Sequence, residues 1–182
     1  KEVISYVLND NLCDDNTKVA TAHNANDNLE TALFNLARGT GLKGLCGIPV
    51  KRDIYIRPLL SCTRAEIEDY CAQKSISYVT DSTNLTDDYT RNRIRHNVLP
   101  ILKEINPNAE NSFTSTVNSL KQDLDFINKT AAFEYENRKK DNGLILKDFN
   151  KLHKNKEKRV IMLFLADNSY VKADNFHINE IY

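Results

Sequence analysis

Apolar residues recur at two different periods along the chain, and the change near residue 80 constrains the fold more than any other feature. Before it, short extended runs alternate with helical stripes. Val19-Ala20-Thr21-Ala22 reads as a short buried-type strand that His23 ends. Leu29, Leu33, Leu36 and Ala37 then recur at helical spacing between Asp27 and Arg38. Asp27 and Glu30 fall in the first turn of that helix, where acidic side chains favour the dipole. Asp53 to Leu60 carries Ile54, Ile56 and Leu59 around a proline, an extended strand leading into a turn. Thr63-Arg64-Ala65-Glu66 is a capping box that opens a helix to about Lys74, with Ile67, Tyr70 and Cys71 inward. Ile76 to Val79 gives a further strand, and Asp81-Ser82-Thr83-Asn84 a polar turn.

After residue 80 only helical stripes follow. Thr90 to Leu102 places Ile94, Val98, Ile101 and Leu102 on one face, and Pro107 to about Lys139 reads as one long helix along Phe113, Val117, Leu120, Leu124 and Ile127. Beyond Gly143 come the short apolar piece Leu144-Ile145-Leu146, a helix around Val160 to Leu165, and a helical start at Asp174 to Tyr182. Val3, Ile4, Val7 and Leu8 form a helical stripe with no capping start before it, as in a chain that opens inside an element. Strands mixed with helices and then helices alone indicate α/β followed by α. The division is expected at residues 1–105 and 106–182.

Composition narrows the class. No apolar run approaches the roughly 18 to 20 residues of a membrane helix, and Lys1 to Asp10 lacks the apolar core of a secretory signal. Cys13, Cys46, Cys62 and Cys71 are separated by 33, 16 and 9 positions, which gives neither a zinc motif nor a disulfide framework. A reducing, cytoplasmic location is expected. Lys+Arg and Asp+Glu both number 25, and the cancellation hides an asymmetry. Residues 1–31 carry a net charge of −4, and residues 137–160 one of +6. Such a basic end suits either a polyanion or a solvated, lysine-rich helix face.

Three constellations can carry chemistry. In His23-Asn24-Ala25-Asn26-Asp27-Asn28-Leu29-Glu30-Thr31, at a strand-to-helix junction, Asp27 and Glu30 are three apart and share a helical face. Two such carboxylates can hold a divalent metal beside phosphates, accept a proton from an attacking amine, or simply cap the helix. In Arg38-Gly39-Thr40-Gly41-Leu42-Lys43-Gly44-Leu45, the glycines permit tight turns and close backbone approach, or a helix C-cap followed by a surface turn. In Thr90-Arg91-Asn92-Arg93-Ile94-Arg95-His96-Asn97, Arg91 and Arg95 share a face. Like charges at that spacing repel, which points to a phosphate or to a solvated face.

Taken in order, these segments resemble the tRNA(Ile)-lysidine synthetases of the PP-loop (N-type) ATP pyrophosphatase superfamily. His23 to Thr31 is similar to that family's H-H-x-D-D-Q-x-E-T signature, with Asn24, Asn26 and Asn28 in place of its second His, first Asp and Gln. Arg38 to Leu45 followed by Ile48-Pro49 resembles its R-G-x-G-x-x-G-L segment and apolar-Pro pair. Arg57-Pro58-Leu59-Leu60 with Thr63 to Ile67 resembles its R-P-L-L…R-x-E-I block. Asp81 to Asn84 and Thr90 to His96 complete the set, over about residues 19 to 102. The family's S-G-G-x-D-S loop does not occur in these 182 residues, so the chain is expected to be an internal piece of a longer enzyme.

The resemblance implies the C-terminal part of a Rossmann-like, parallel-sheet PP-loop domain in residues 1–105. Residues 106–182 would be a helical linker and the start of a tRNA-binding domain. It implies ATP-dependent ligation of free L-lysine to the wobble cytidine of an isoleucine tRNA with a CAU anticodon, through a cytidine adenylate, giving lysidine. ATP and Mg²⁺ are the implied cofactors, and a homodimer is an allowed assembly. Asp27 and Glu30 become the catalytic carboxylates, positioning Mg²⁺ or the lysine amine. His23 shapes the pocket. Arg91, Arg93 and Arg95 contact ATP or tRNA phosphates, and Lys139, Lys140, Lys154, Lys156 and Lys158 attract tRNA. Two other readings remain: a 2-thiolating PP-loop enzyme, which would need working cysteines, and a non-catalytic RNA-binding fragment. The piece alone is expected to bind RNA in a salt-sensitive way and to catalyse nothing.

Overall fold

The computed structural model describes residues 17–78, 90–141 and 143–168. The chain forms two compact units, Lys1–Leu120 and Lys121–Tyr182. The first is built on a small sheet. Strand β1 (Val19–Ala20) runs parallel to β3 (Tyr55–Ile56), pairing Val19 with Tyr55 and Ala20 with Ile56. On the other side of β3, β2 (Lys51–Arg52) pairs antiparallel, and the order is β1-β3-β2. The extended run expected from Asp53 is therefore the second arm of a hairpin. Asp53 itself takes the turn at φ 55°, a left-handed conformation that Asp tolerates. The strand expected at residues 19–22 stops at Ala20. Ile76, Ser77 and Tyr78 form no regular element, and Val79 lies outside the described residues, as do Val3–Leu8, Asp81–Asn84 and Asp174–Tyr182.

Helix α1 (Ala25–Ala37) enters the unit by its N-terminus. It buries Ala25, Asn28, Leu29 and Ala32, at i, i+3, i+4 and i+7, and beside them Glu30, whereas Leu36 of the expected stripe is 59% exposed. A polar residue can sit on that face because Asn28 is satisfied there. Its Oδ1 accepts from the backbone N–H of Ile48 at 2.6 Å. The glycine-rich loop contains one helical turn, α2 (Leu42–Leu45), and ends at Gly47 with φ 67°. A Cβ at Gly47 would lie 2.2 Å from Asn28 Oδ1 and 3.1 Å from the Asn28 carbonyl oxygen. Here both the turn and the contact require glycine.

The capping box at Thr63 is formed: Thr63 Oγ1 accepts from Glu66 N at 3.2 Å, and Glu66 Oε2 accepts from Thr63 N at 2.7 Å. It opens α3 (Arg64–Gln73), a surface helix that half-buries Ile67 and Cys71. Tyr70, expected inward, is 57% exposed, because it lies off the line joining those two.

The helical stretch from Thr90 is interrupted. Helix α4 (Thr90–Arg93) passes into a π-helical turn at Ile94–Val98 and then into α5 (Leu99–Ile105). A π turn adds a residue to the helical repeat. The inward position after Ile94 is consequently Leu99, 5% exposed, and Val98 and Ile101 turn outward.

Helix α6 (Ala109–Arg138) begins in the first unit and continues into the second. Phe113, Leu120, Leu124 and Ile127 are half-buried and Val117 buried, as the periodicity requires. In the second unit, α6 is followed by an antiparallel pair, β4 (Lys139–Lys140) and β5 (Gly143–Leu144), and by α7 (Lys154–Asp167). Ala131, Tyr135 and Val160 form its core, with Leu144, Phe149, Leu163 and Phe164 packed around them. Polar groups brace this small core. Arg138 donates to Glu134 and to the carbonyl oxygens of Ile145 and Lys147, and Lys156 Nζ lies 2.8 Å from Glu134 Oε2. These two cations, Lys156 first, hold the Glu134 carboxyl below the usual carboxylate range.

Two outcomes follow from these contacts. Gly47→Ala should lower the unfolding free energy by about 1–3 kcal/mol, measured by urea denaturation, because the left-handed turn and Asn28 both oppose a side chain. For Glu134, a depressed folded pKa means stability that is present above the unfolded value, about 4.3, and lost as pH falls through the folded one. The difference in urea midpoint between the protein and Glu134→Gln should therefore be widest above about pH 5 and close in more acidic solution. A difference that does not change with pH would remove charge from the account.

Candidate active site

The chain leaves β1 at Ala20 and turns into α1 at Ala25, so the first turn of α1 stands at the carboxyl end of a parallel-paired strand. Open α/β sheets present ligands at that place. Within the connection, Thr21 Oγ1 and His23 Nδ1 are 2.9 Å apart. Asn24 is the N-cap: its Oδ1 accepts from Asp27 N at 3.1 Å, and Asp27 Oδ2 accepts from Asn24 N at 3.0 Å. Asp27 thus closes a capping box and is also half-open to the outside.

Arg95 joins the two carboxylates. Its Nε donates to Glu30 Oε1 at 2.7 Å and its Nη2 to Glu30 Oε2 at 3.0 Å, a two-pronged pair that matches guanidinium to carboxylate. Nη2 also donates to Asp27 Oδ1 at 3.3 Å. The Glu30 side chain is 2% exposed, against 27% for Asp27 and 26% for Arg95. The hydrogen bonds to Glu30 raise the Arg95 pKa above its ordinary value. Burial opposes them, and the charges of Glu30 and Asp27 add to the rise. The π turn is what delivers this guanidinium, since Arg95 lies inside it. One turn earlier Arg91 donates from Nη2 to Thr31 Oγ1 at 3.1 Å, while Arg93 is exposed. Two arginines expected to face an anion therefore reach neighbouring residues of α1.

Asp27, Glu30 and Arg95 line a cleft of about 240 Å³. Arg64 and Lys103 add two more cations to its wall, and Leu99 and Pro100 an apolar side. Arg64 Nε donates to Glu68 Oε1 at 2.7 Å, and Lys103 Nζ lies 2.5 Å from Glu110 Oε1. Asn26 completes the rim: its Oδ1 accepts from Arg64 N at 2.9 Å, and its Nδ2 donates to Glu110 Oε1 at 2.7 Å. Sequence reasoning singled out Asp27, Glu30 and Arg95 but not Lys103, Glu110 or Arg64. Arg64 was marked only as the start of a capped helix and as the Arg of the R-x-E-I block, not as a residue of the site.

In this structure both carboxylates are engaged with Arg95. Both Glu30 oxygens accept from Arg95, and Asp27 accepts from Arg95 and from the Asn24 amide. Among the described residues, no group of three or more His, Cys, Asp and Glu side chains is arranged to hold a metal ion. None of their helices is long and apolar enough to cross a membrane. Cys46 is buried, Cys62 and Cys71 are half-buried, and none of the three forms a disulfide.

The basic stretch belongs to the second unit. Lys139 pairs with Asp167, Lys154 Nζ lies 3.3 Å from Glu157 Oε2, and Lys156 pairs with Glu134. Lys140 is exposed and Lys158 half-buried.

Known proteins resemble this chain across the same region. The tRNA(Ile)-lysidine synthase of Bacteroides thetaiotaomicron is 50% identical over 111 residues, 61% of this chain and 26% of the relative. That of Clostridioides difficile is 41% identical over 175 residues, covering 90% of this chain and 37% of the relative. That of Geobacillus kaustophilus is 39% identical over 155 residues, 81% of this chain and 33% of the relative. The chain thus spans about a quarter to a little over a third of the length of these relatives. Residues 4–102 match the PP-loop domain, a nucleotide-binding α/β family, over more than half of the chain. The chain belongs to the PP-loop domain family.

Proposed function

We propose that this chain is part of an enzyme that ligates lysine to the wobble cytidine of a CAU-anticodon isoleucine tRNA, using ATP and releasing pyrophosphate and AMP. The observation that carries the reading is the Asp27–Arg95–Glu30 constellation at the wall of the cleft, in a chain related to tRNA(Ile)-lysidine synthases. In this reading residues 1–105 belong to the adenylating domain, and residues 106–182 lead into a tRNA-binding one.

Joining an amine to an adenylated base needs a neutral amine and somewhere for its proton to go. A substrate ammonium is drawn to Asp27, the more open of the two carboxylates, which then accepts the proton. Glu30 keeps Arg95 charged and fixed. A fixed guanidinium beside the amine disfavours the ammonium form, since like charges lower an amine's pKa. Arg91 and Arg93, on the helix that leads into the turn carrying Arg95, serve ATP or tRNA phosphates, His23, outside the cleft lining, braces the connection into α1 through Thr21, and Lys139, Lys140, Lys154, Lys156 and Lys158 supply general attraction to tRNA. Mg²⁺ accompanies ATP in the family's chemistry. Because Asp27 and Glu30 are held by Arg95, no step here is routed through a metal. A thiolating activity would need a cysteine at the cleft, and the described lining contains none.

Lysine-dependent pyrophosphate release, assayed with CAU-anticodon tRNA on the complete enzyme, tests the reading. Asp27→Asn and Glu30→Gln should each reduce it about 100-fold or more, the order of one lost acid–base group. Glu30→Gln should also cost about 1–3 kcal/mol of stability, because Arg95 keeps only part of its partner. Full activity in both variants would sink the proposal. In tRNA binding, Arg91→Ala should flatten the log–log salt dependence by about 0.7 to 0.9, the share of one phosphate contact. An unchanged slope, together with unchanged ATP affinity, would return Arg91 to a structural bond with Thr31.

A further inference from the structure

Three helices begin at one side chain. Asn26 lies in the first turn of α1, its Oδ1 accepts the backbone N–H of Arg64 at the start of α3, and its Nδ2 donates to Glu110 in the first turn of α6. The first N–H groups of a helix have no partner within it, so the Arg64 amide needs an outside acceptor. That requirement fixes which end of the Asn26 amide is oxygen, and leaves the NH₂ group facing Glu110. Glu110 is 5% exposed and receives a second donor, Lys103 of α5, on the same oxygen. The cleft walls that carry Asp27, Arg64 and Lys103 are thereby tied through one amide.

We propose that Asn26 is a positioning residue of the cleft, and that Glu110 demands a neutral donor at this place. The proposal rests on the reading of Asp27 and Glu30 as the working carboxylates. An aspartate at 26 would still accept from Arg64, but would offer Glu110 an oxygen where a donor now stands, 2.7 Å away. Two carboxylates at that separation must share a proton or move apart. Moving apart displaces the first turn of α1, and with it Asp27 and Glu30 against Arg95. Asn26 stands where the resembling signature has its first aspartate, so by signature alone Asn26→Asp would be harmless. The Glu110 contact says the opposite. It also names the compensation: in Asn26→Asp with Glu110→Gln, the carboxylate crosses to the other side of the same hydrogen bond, the Gln amide becomes the donor, and Lys103, which now shares the Glu110 oxygen with Asn26, has to turn from that nitrogen toward the new carboxylate.

The experiment uses the complete enzyme and three variants: Asn26→Asp, Glu110→Gln, and the two together. Lysine-dependent pyrophosphate release is resolved into kcat and KM for lysine, and thermal midpoints are recorded in parallel. Asn26→Asp is expected to lower kcat about 10- to 100-fold, the scale of a displacement near 1 Å, with a smaller effect on KM. The double variant is expected to regain kcat to within about threefold of the unaltered enzyme, non-additivity that marks groups in contact. Unchanged kcat in Asn26→Asp would overturn the proposal, as would a double variant no better than Asn26→Asp alone. A lower midpoint with unaltered kcat would also overturn it, since Asn26 would then serve folding only. If Asn26→Asp does not fold, recovery of the folded protein in the double variant supports the contact, and failure to recover overturns it. Should the unaltered enzyme show no lysine dependence, the reading of function fails, while the midpoints still decide whether Glu110 and residue 26 oppose one another.

Discussion

One guanidinium organises the candidate site. Arg95 bonds to Glu30, 65 positions earlier in the chain, through two nitrogens, and reaches Asp27 with one of them. A carboxylate with 2% exposure is tolerable only because that fork meets both of its oxygens. Without Arg95 the buried turn of α1 would hold an uncompensated charge. Without Glu30 the arginine would lose its two-pronged partner. The same pair sets the electrostatics of the cleft, by placing a fixed positive charge beside the more open Asp27. Structure and chemistry therefore depend on the same contact.

Much of this was legible in the sequence wherever the signal was local. The capping box at Thr63 needs only four residues, and it is formed. The inward line of α6 follows Phe113, Val117, Leu120, Leu124 and Ile127, because thirty residues of uninterrupted helix let the period declare itself. The α1 face was misread in part, since counting only apolar residues overlooks Asn28, which is buried on the strength of its bond to Ile48 N. In the strands, two-residue pairings are too short for alternation to be seen, and the hairpin at Asp53 turns on a left-handed Asp that carries no glycine signal. The carboxylates were found as a pair on one face of a helix. Their arginine was found too, but as a phosphate ligand, because nothing local links residue 95 to residue 30.

The three asparagines of the signature segment show the difference between a substitution and its setting. As letters they are replacements for a histidine, an aspartate and a glutamine. In the fold Asn24 caps α1, Asn26 joins two helix starts, and Asn28 holds the glycine-rich loop at Ile48. Each uses the amide's capacity to bond through oxygen or nitrogen. None supplies a charge, so the anionic character of the segment falls to Asp27 and Glu30.

The π-helical turn at Ile94–Val98 has a consequence for which kinds of sequence change this protein can tolerate. Exchanging a side chain there alters one contact and leaves the winding of the backbone in place. Winding the same residues as ordinary α-helix would rotate everything beyond the turn by roughly 100°, the angle between successive helical residues, and Leu99 would leave the core. Removing a single residue between Ile94 and Leu99 would instead let the segment relax to ordinary α-helical repeat with Leu99, then four positions on, still facing inward. The turn thus absorbs one extra residue where it stands, and the helices on either side keep their faces.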